Sequence, residues 1–531
     1  MIRLLSSSTS FPVRFSVVFV LLCYALLLLF GAWHHEPWRD ETHSWLIAQH
    51  SSSIADLFWN KRYEGHPGGW YVLLYGLKSL SQSWVAVQVM HGLLAMGSAY
   101  LLITRSSFPW VVRVLLLFGY FFVYEYAVIA RNYAVGVLLL FGLCALFPRR
   151  YERGVHIGWC LLLALLWQTN LFALLLGLGM YGLFWLELLI YRQDVWKTNW
   201  PYYVGGAILA GGSLLLTYID LLPPDDLSFP MVVHGDRSLF NALATLYSLK
   251  QALLPLPDSF HHFWNGDLLD IIGNKTNKTI QGAIGLSLLA AMGYAIILPL
   301  FRSRLALLGW VLICLAIQIV LFSQYRGSLR HHGHQFLALI ICLWIQPYLA
   351  DLRPKPLVLK RNETLAYRLV PVVLGVHILT TVVALLADWQ YPFSMARATA
   401  QYIRQSPQRD WFRAGHTYYA VENVAAHLPD FRMYYPTAKQ HNGFIMWRVN
   451  NGLPSLTIAT NMTKEVGRKP ALLVFSGYLS NDSARYLGLK PIISFKGSIV
   501  TDEQFWLFAY PADSLPPRLP ARPIRASVAQ Q

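Results

Sequence analysis

The chain has 531 residues, of which 55% are apolar and 13% carry a formal charge, against about 25% charged residues in an ordinary soluble domain. Apolar stretches close to the roughly 20 residues that a helix needs to cross hydrocarbon recur along its first three quarters. This composition excludes a soluble enzyme and predicts a polytopic membrane protein. The net charge of +16 does not indicate nucleic-acid binding, because the basic residues lie between the apolar stretches rather than in one stripe with stacking aromatics.

We predict an α-helical membrane module over residues 1–390 with about eleven transmembrane helices. The first apolar stretch is interpreted as a retained signal anchor, because it ends in Gly-Ala-Trp-His-His without a small-x-small cleavage site. Lys and Arg are concentrated in the connections that lie inside if the N-terminus is cytoplasmic, which predicts that orientation. The predicted spans are 15–33, 84–104, 110–129, 133–148, 156–169, 171–190, 202–222, 281–301, 305–323, 335–350 and 369–387.

Three long segments then fall on the outer face: the loops 34–83 and 223–280 and the tail 391–531. Loops of this length are usually functional. The tail contains strand-like runs at 471–475 and 505–509, so we predict a small extracytoplasmic α/β domain. Its Pro-rich stretch 516–523 indicates a disordered end. The five cysteines all lie in apolar stretches without CxxC spacing, which indicates neither a disulfide framework nor a zinc site.

The first outer loop begins with a dense polar cluster that contains Asp40 and Glu41. Paired carboxylates at a membrane edge can act as a general base on an incoming hydroxyl or amine. The alternative is that Asp40 caps a helix that starts near Ser44. Further along the same loop, His66 lies in Gly-His-Pro-Gly-Gly. The ring can contact a phosphate, although Gly and Pro are also ordinary turn residues.

Arg131 lies in the outer turn between the third and fourth predicted spans. An ionisable residue in an apolar stretch is costly and by default marks a functional position. Arg131 either clamps an anion with both branches of its guanidinium or pairs with nearby Glu125.

A second basic turn, containing Arg330, His331 and His332, opens the tenth predicted span. The histidines lack the spacing of a zinc site, whereas a helix N-terminus with cationic side chains favours a phosphate. The alternative is a belt of basic side chains that snorkel to the interface.

All of these clusters lie on the predicted outer face. A transporter instead places charges at the midplane, where the candidates are His91, Glu187 and His377. Enzymology at the outer interface is therefore favoured. Two alternatives are a lipid or polysaccharide transporter or flippase, and a scaffold whose tail binds a partner.

The order of these motifs resembles the GT-C superfamily of membrane glycosyltransferases. The stretches Asp40-Glu-Thr-His-Ser-Trp-Leu-Ile-Ala48 and Glu64-Gly-His-Pro67 are most similar to bacterial aminoarabinose transferases and protein O-mannosyltransferases. The resemblance covers roughly residues 10–150 and 320–350. It implies a bacterial inner or plasma membrane and a reaction in the cell envelope, for example on lipopolysaccharide.

The resemblance also implies a mechanism. A sugar passes from a polyprenyl-phosphate donor to a lipid, glycan or protein acceptor on the outer face, with inversion at C1. Asp40, with Glu41 beside it, binds or deprotonates the acceptor, and Arg131 lies near the donor phosphate. His66 occupies the place of a His-Pro or Lys-Pro in relatives, although the chain continues with Gly-Gly instead of a second Pro. Arg330, His331 and His332 complete the phosphate set. No cofactor is predicted; some relatives use a divalent cation, for which Asp40 and Glu41 offer few ligands.

Overall fold

The computed structural model describes residues 13–227, 239–271, 278–353, 357–416, 418–436, 439–447, 456–467 and 470–514. The chain divides into two units. The first is the described part of Met1–Ser394 with 446–447 and 498–501, and the second takes the remaining described residues. The predicted Pro-rich end at 516–523 lies outside the described residues.

The first unit is built from helices. They are α1 (Val13–His34), α2 (Arg39–His50), α3 (Ile54–Lys61), α4 (Gly69–Lys78), α5 (Trp84–Arg105), α6 (Trp110–Leu117), α7 (Tyr133–Leu146), α8 (Arg153–Trp167), α9 (Leu171–Tyr191), α10 (Gln193–Asp220), α11 (Leu239–Leu253), α12 (Lys278–Ile297), α13 (Arg304–Ser323), α14 (Leu329–Ile345) and α15 (Leu357–Gln390). Large aromatic and aliphatic side chains from most of these helices form one buried core.

Six helices are long and apolar enough to cross a membrane: Phe15–His34, Trp84–Arg105, Leu171–Tyr191, Gln193–Asp220, Arg304–Ser323 and Leu369–Gln390. All six coincide with predicted spans, so the prediction of a polytopic helical membrane protein is confirmed. Shorter apolar helices occupy other predicted spans, at Tyr133–Arg149, Arg153–Trp167 and Ile280–Ala291. The total of eleven spans remains a prediction.

The third predicted span, 110–129, is interrupted. After α6 the backbone turns at Phe118 and continues as a short π-helix, Phe121–Glu125. Such a break releases carbonyl groups, which must find partners where water is scarce. Thr381 Oγ1 donates to the carbonyl of Phe118 at 3.0 Å, and Tyr24 donates to that of Phe122 at 2.5 Å. The interruption therefore holds Glu125 and its neighbours in fixed, buried positions.

Both predicted loops of this unit contain helices. The loop 34–83 folds into α2, α3 and α4, and the loop 223–280 contains α11. The helix that was predicted to start near Ser44 begins earlier, at Arg39, so Asp40 lies in its first turn. Asp40 is therefore not the cap of this helix.

The second unit contains a six-stranded mixed sheet in the order β3-β2-β1-β4-β6-β5. The predicted strand-like runs form β4 and β6, which pair antiparallel at the centre, with Leu473 opposite Phe508. The prediction of a small C-terminal sheet is confirmed, and the predicted domain bounds 1–390 and 391–531 stay a prediction. Its elements are α16 (Ala396–Gln405), β1 (Phe412–His416), α17 (Tyr418–Ala426), β2 (Met433–Tyr435), β3 (Gln440–Asn442), α18 (Leu456–Val466), β4 (Ala471–Phe475), α19 (Asn481–Tyr486), β5 (Lys490–Phe495) and β6 (Phe505–Tyr510).

Candidate active site

The first turn of α2 places the two adjacent carboxylates in different surroundings. The Asp40 side chain is 28% exposed, whereas that of Glu41 is fully buried. Glu41 Oε2 accepts from the backbone N–H of Trp38 at 3.1 Å and so caps the start of the helix. Of these two carboxylates, only that of Asp40 is accessible.

Asp40 lies between two arginines that come from distant parts of the chain. Arg330 Nη2 donates to Asp40 Oδ2 at 3.1 Å, and Arg131 Nη1 lies 3.9 Å from the same oxygen. Arg131 also donates to the backbone carbonyl of Asp40. Burial alone would raise the pKa of the Asp40 carboxyl, but nearby cationic groups, chiefly Arg131 and Arg330 and then Arg39, lower it below its usual value. The carboxylate is therefore held ionised.

Arg131 does not pair with Glu125, which was one of the two predicted alternatives. Glu125 Oε2 accepts instead from Tyr120 at 2.6 Å and from Trp264 Nε1 at 3.2 Å. The Arg131 side chain is 9% exposed, and its Nε has no hydrogen-bond partner among the described residues. An unsatisfied, buried guanidinium donor is costly, which favours the other alternative, an anion clamp.

Arg330 lies in the first turn of α14 and packs between two indole rings. Its guanidinium carbon is 5.0 Å from the centre of the Trp38 ring and 5.5 Å from that of Trp264. Stacking of this kind holds the planar group in place. Its Nε, like that of Arg131, is buried without a partner in the described part of the chain. Two arginines with unused donors thus meet at Asp40.

His66 reaches the same place from the turn between α3 and α4. Its Nε2 lies 3.5 Å from Arg131 Nη2. Since guanidinium only donates, this nitrogen accepts and the ring proton belongs on Nδ1, which is buried without a described partner. Burial and the neighbouring Arg131 lower the pKa of His66 to about 3, so the ring is neutral. It offers one N–H donor beside the arginines.

The two glycines that follow His66 are explained by close packing of the turn. Gly68 N–H donates to Asp220 Oδ2 at 2.8 Å, and Gly69 N–H donates to the Gln168 carbonyl at 2.9 Å. A side chain at Gly69 would collide with that carbonyl oxygen. The turn is therefore docked through its backbone, which sets the position of His66.

Of the predicted phosphate ligands His331 and His332, the first has a partner at each ring nitrogen, whereas Nδ1 of the second has none among the described residues. His331 Nδ1 accepts from the Ser328 N–H at 3.0 Å, and its Nε2 lies 3.2 Å from the Tyr133 hydroxyl. His332 Nε2 contacts the carbonyl of Arg326 at 3.1 Å. The backbone N–H of Leu329 is also occupied, by Asn265 Oδ1. In this turn, Arg330 is thus the cationic group aimed at Asp40, and the histidines shape the turn that carries it.

The midplane candidates for a transport pathway contact groups within the helical unit, although Nδ1 of His377 has no partner among the described residues. His91 contacts the carbonyls of Ala127 and Arg131, and His377 contacts that of Leu253. Glu187 is paired with Arg150. These contacts are typical of packing residues.

Sequence reasoning missed three groups around the site. His35 bridges Glu41 and Asp388, with ring-to-carboxylate distances of 2.9 and 2.7 Å. Trp264 comes from the loop 223–280, outside the motifs that carried the resemblance. For His35 a local signal existed, since it precedes the Asp40 cluster directly; for Asp388 there was only its position as a carboxylate at the end of an apolar stretch.

Among the described residues, no group of three or more His, Cys, Asp or Glu side chains is arranged to hold a metal ion. The fold and the site together define a helical membrane protein in which an ionised carboxylate contacts two arginines. The Nε donors of both arginines have no partner among the described residues.

No family model and no curated protein matches the chain. Solved structures that resemble it include ArnT from Cupriavidus metallidurans bound to undecaprenyl phosphate, with 14% identity, a TM-score of 0.47, and coverage of 93% of this chain and 97% of that chain. The apo state of the same protein gives 14% identity and a TM-score of 0.48, with 95% and 100% covered.

Proposed function

We propose that the protein is a membrane glycosyltransferase of GT-C type that transfers a sugar from a polyprenyl-phosphate donor to a lipid, glycan or protein acceptor. One observation carries the proposal. An ionised carboxylate, Asp40, lies against two arginines, Arg131 and Arg330, whose Nε donors are buried and unused. Sugar transfer from a phosphate requires these two kinds of group, one for the acceptor and one for the leaving anion.

The arginines suit the leaving phosphate. Guanidinium groups bind phosphate oxygens through paired N–H donors, and both side chains are about nine-tenths buried, where charge interactions are stronger than in water. His66 adds a neutral N–H donor from Nδ1. The charge that develops on the phosphate oxygen as the bond to C1 breaks is thereby stabilised.

Asp40 suits the acceptor. The acceptor oxygen or nitrogen attacks C1 from the face opposite the phosphate, so the configuration inverts. The new C1 bond forms as the bond between C1 and the phosphate oxygen breaks, and polyprenyl phosphate leaves with that electron pair. The acceptor proton passes to Asp40, which is ionised at neutral pH and so can receive it. Glu41, whose oxygens are used by its neighbours, positions this turn.

The proposed location follows from the topology expected from the distribution of Lys and Arg. With the N-terminus in the cytoplasm of a bacterial inner membrane, the start of α2 lies at the outer leaflet. There a lipid-linked sugar can present its headgroup while its chain stays in the bilayer.

Mass spectrometry of surface lipids and glycans tests the proposal. A deletion strain is compared with the same strain carrying the wild-type gene. We expect one lipid or glycan species to lose the mass of one sugar residue in the deletion strain and to regain it on complementation. Unchanged masses, with a species trapped on the inner leaflet, would instead identify a flippase and refute the proposal.

A further inference from the structure

The proposed reaction does not use His35 directly. The ring lies just after α1 and is buried between two carboxylates. Its Nε2 is 2.9 Å from Glu41 Oε2, its Nδ1 is 2.7 Å from Asp388 Oδ2, and all three side chains are at most 2% exposed. An ionised carboxylate only accepts hydrogen bonds. Both ring nitrogens must therefore donate, and His35 is an imidazolium.

Electrostatics agrees with this assignment. Burial lowers the pKa of the His35 ring, but the Asp388 and Glu41 carboxylates outweigh it and raise the pKa to about 10. On the far side, Asp388 Oδ2 also accepts from the Tyr124 hydroxyl at 2.8 Å. Tyr124 belongs to the π-helix and Asp388 to the end of α15. His35 is thus anchored to two parts of the helical frame.

His35 is connected to the site at Asp40 through its contact with Glu41. While Oε2 of Glu41 receives His35, its Oε1 accepts the backbone N–H of Ala130 at 2.6 Å. Ala130 is the residue before Arg131. The carboxylate therefore ties the first turn of α2, which carries Asp40, to the turn that carries Arg131. If the Glu41 carboxylate rotates, its contacts with His35, with the Trp38 N–H and with the Ala130 N–H are disturbed together.

Arg131 depends on this tie for its place. Its guanidinium contacts the carbonyl of Asp40 and lies 3.9 Å from the Asp40 carboxylate. We infer that His35 is a positioning residue: it holds Glu41 in the orientation that anchors Ala130, and so keeps Arg131 beside Asp40. The inference rests on the proposed function, because it assigns His35 to the geometry of the donor-phosphate site.

The test measures the dissociation constant of undecaprenyl phosphate for the full-length protein in nanodiscs, together with the thermal unfolding midpoint of each variant. In His35→Gln, the side chain carries its N–H donors at one end only, and its carbonyl oxygen would face the other carboxylate. The link from Asp388 to Glu41 is therefore broken, and Glu41 is held less firmly. We expect affinity to fall about tenfold, the scale of one misplaced hydrogen-bonding group. His34→Gln is the matched control, since His34 contacts the carbonyl of Phe30 in its own helix; its affinity should equal that of the wild type.

A second substitution separates positioning from stability. In His35→Gln/Asp388→Asn, the Asn amide can donate to the Gln oxygen while the Gln amide donates to Glu41, which rebuilds the chain of hydrogen bonds. Affinity should return to within about threefold of the wild type, whereas His35→Phe/Asp388→Asn should stay weak. A purely structural role predicts no such recovery of affinity.

Arg131→Ala distinguishes the inference from the proposed function. If Arg131→Ala weakens binding and His35→Gln does not, the donor site stands and the positioning role of His35 is refuted. If Arg131→Ala leaves binding unchanged, the proposed phosphate site fails and the inference fails with it. Loss in both single variants with recovery in His35→Gln/Asp388→Asn supports both.

Discussion

The first unit contains two clusters of arginine and carboxylate that have opposite character. In one, Arg150 donates to Glu187 and to the carbonyls of Phe147 and Tyr348, while Glu187 also accepts from the N–H of Ala350. Both side chains are at most 2% exposed, and Nε, Nη1 and Nη2 of Arg150 all have partners. We call this pair closed, because no guanidinium nitrogen of Arg150 is left without a partner.

The cluster at Asp40 is open by comparison. Its carboxylate is 28% exposed, and the Nε atoms of Arg131 and Arg330 have no described partner. A closed ion pair ties helices together, whereas unused hydrogen-bond donors beside an accessible carboxylate favour the proposed binding of a ligand. The two clusters carry the same kinds of charge and differ in how many of their hydrogen-bonding groups already have partners.

The largest expected effect comes from removing the charge at the open cluster. Asp40→Asn should reduce sugar transfer in membranes by roughly 100- to 10,000-fold, because the acceptor proton loses its destination. Expression and the unfolding midpoint should stay near those of the wild type. The change in lipid or glycan mass is the measurement, and Asp56→Asn, at a partly exposed carboxylate in the first turn of α3, is the control. Wild-type transfer by Asp40→Asn would remove Asp40 from the mechanism.

At the closed cluster, substitution should affect stability instead of transfer. Arg150→Ala leaves Glu187 buried without its partner, which costs about 3–5 kcal/mol. The midpoint of thermal unfolding in detergent should fall accordingly. Arg150→Met/Glu187→Leu should recover most of the loss, since an apolar pair can replace a buried ion pair. If this double variant stays as unstable as Arg150→Ala, the pair is not simply structural.

A smaller effect on undecaprenyl phosphate binding is expected when the Arg330 guanidinium is replaced by a lysine ammonium group, which keeps the positive charge. Arg330→Lys removes the planar fork and its stacking on Trp38 and Trp264. We expect the dissociation constant of undecaprenyl phosphate to rise about tenfold, with little change in stability. Arg326→Lys, at an exposed position in the same turn, should bind like the wild type. Equal affinity in both variants would argue against phosphate recognition by Arg330.

The smallest expected effect is on the pH dependence of undecaprenyl phosphate binding, to which we expect His66 to contribute nothing. Because the pKa of His66 is lowered to about 3, the ring stays neutral as the pH falls from about 8 to 5, a range in which an ordinary histidine becomes charged. The lowered pKa of Asp40 likewise keeps that carboxylate ionised. Wild type and His66→Gln should therefore show the same shape of pH dependence for undecaprenyl phosphate binding. A tightening on acidification that only the wild type shows would contradict a neutral His66.

Much of the fold follows from the sequence, since long apolar stretches predict membrane helices by length and composition alone. The interruption of the third span was not predicted, because its π-helix depends on Thr381 and Tyr24, whose positions only the folded chain reveals. The helix α11 was missed because it lies in a segment that was treated as a loop. Strand-like runs in the tail were sufficient to predict a sheet but not its order.

For the site, charges in apolar surroundings singled out Asp40, Arg131 and Arg330, and the structure brings these three together. The sequence did not distinguish Arg330 from His331 and His332, because it does not show that Arg330 alone of the three contacts the Asp40 carboxylate. It also gave no reason to join His35 to Asp388, which are 353 positions apart. Contacts of that kind leave no periodic pattern in a single sequence.

The docking of the Gly68-Gly69 turn implies a pattern of coordinated replacement in evolution. Two backbone N–H groups there are bound by Asp220 and by the carbonyl of Gln168, and a proline at position 68 would remove the first of these donors. In a homologue with a second proline in this turn, an aspartate at position 220 would keep only its contact with Lys61. Such a homologue therefore needs either this lysine or a different residue at position 220. Positions 61, 68 and 220 should therefore covary across an alignment of homologues, although they lie on three separate segments of the chain.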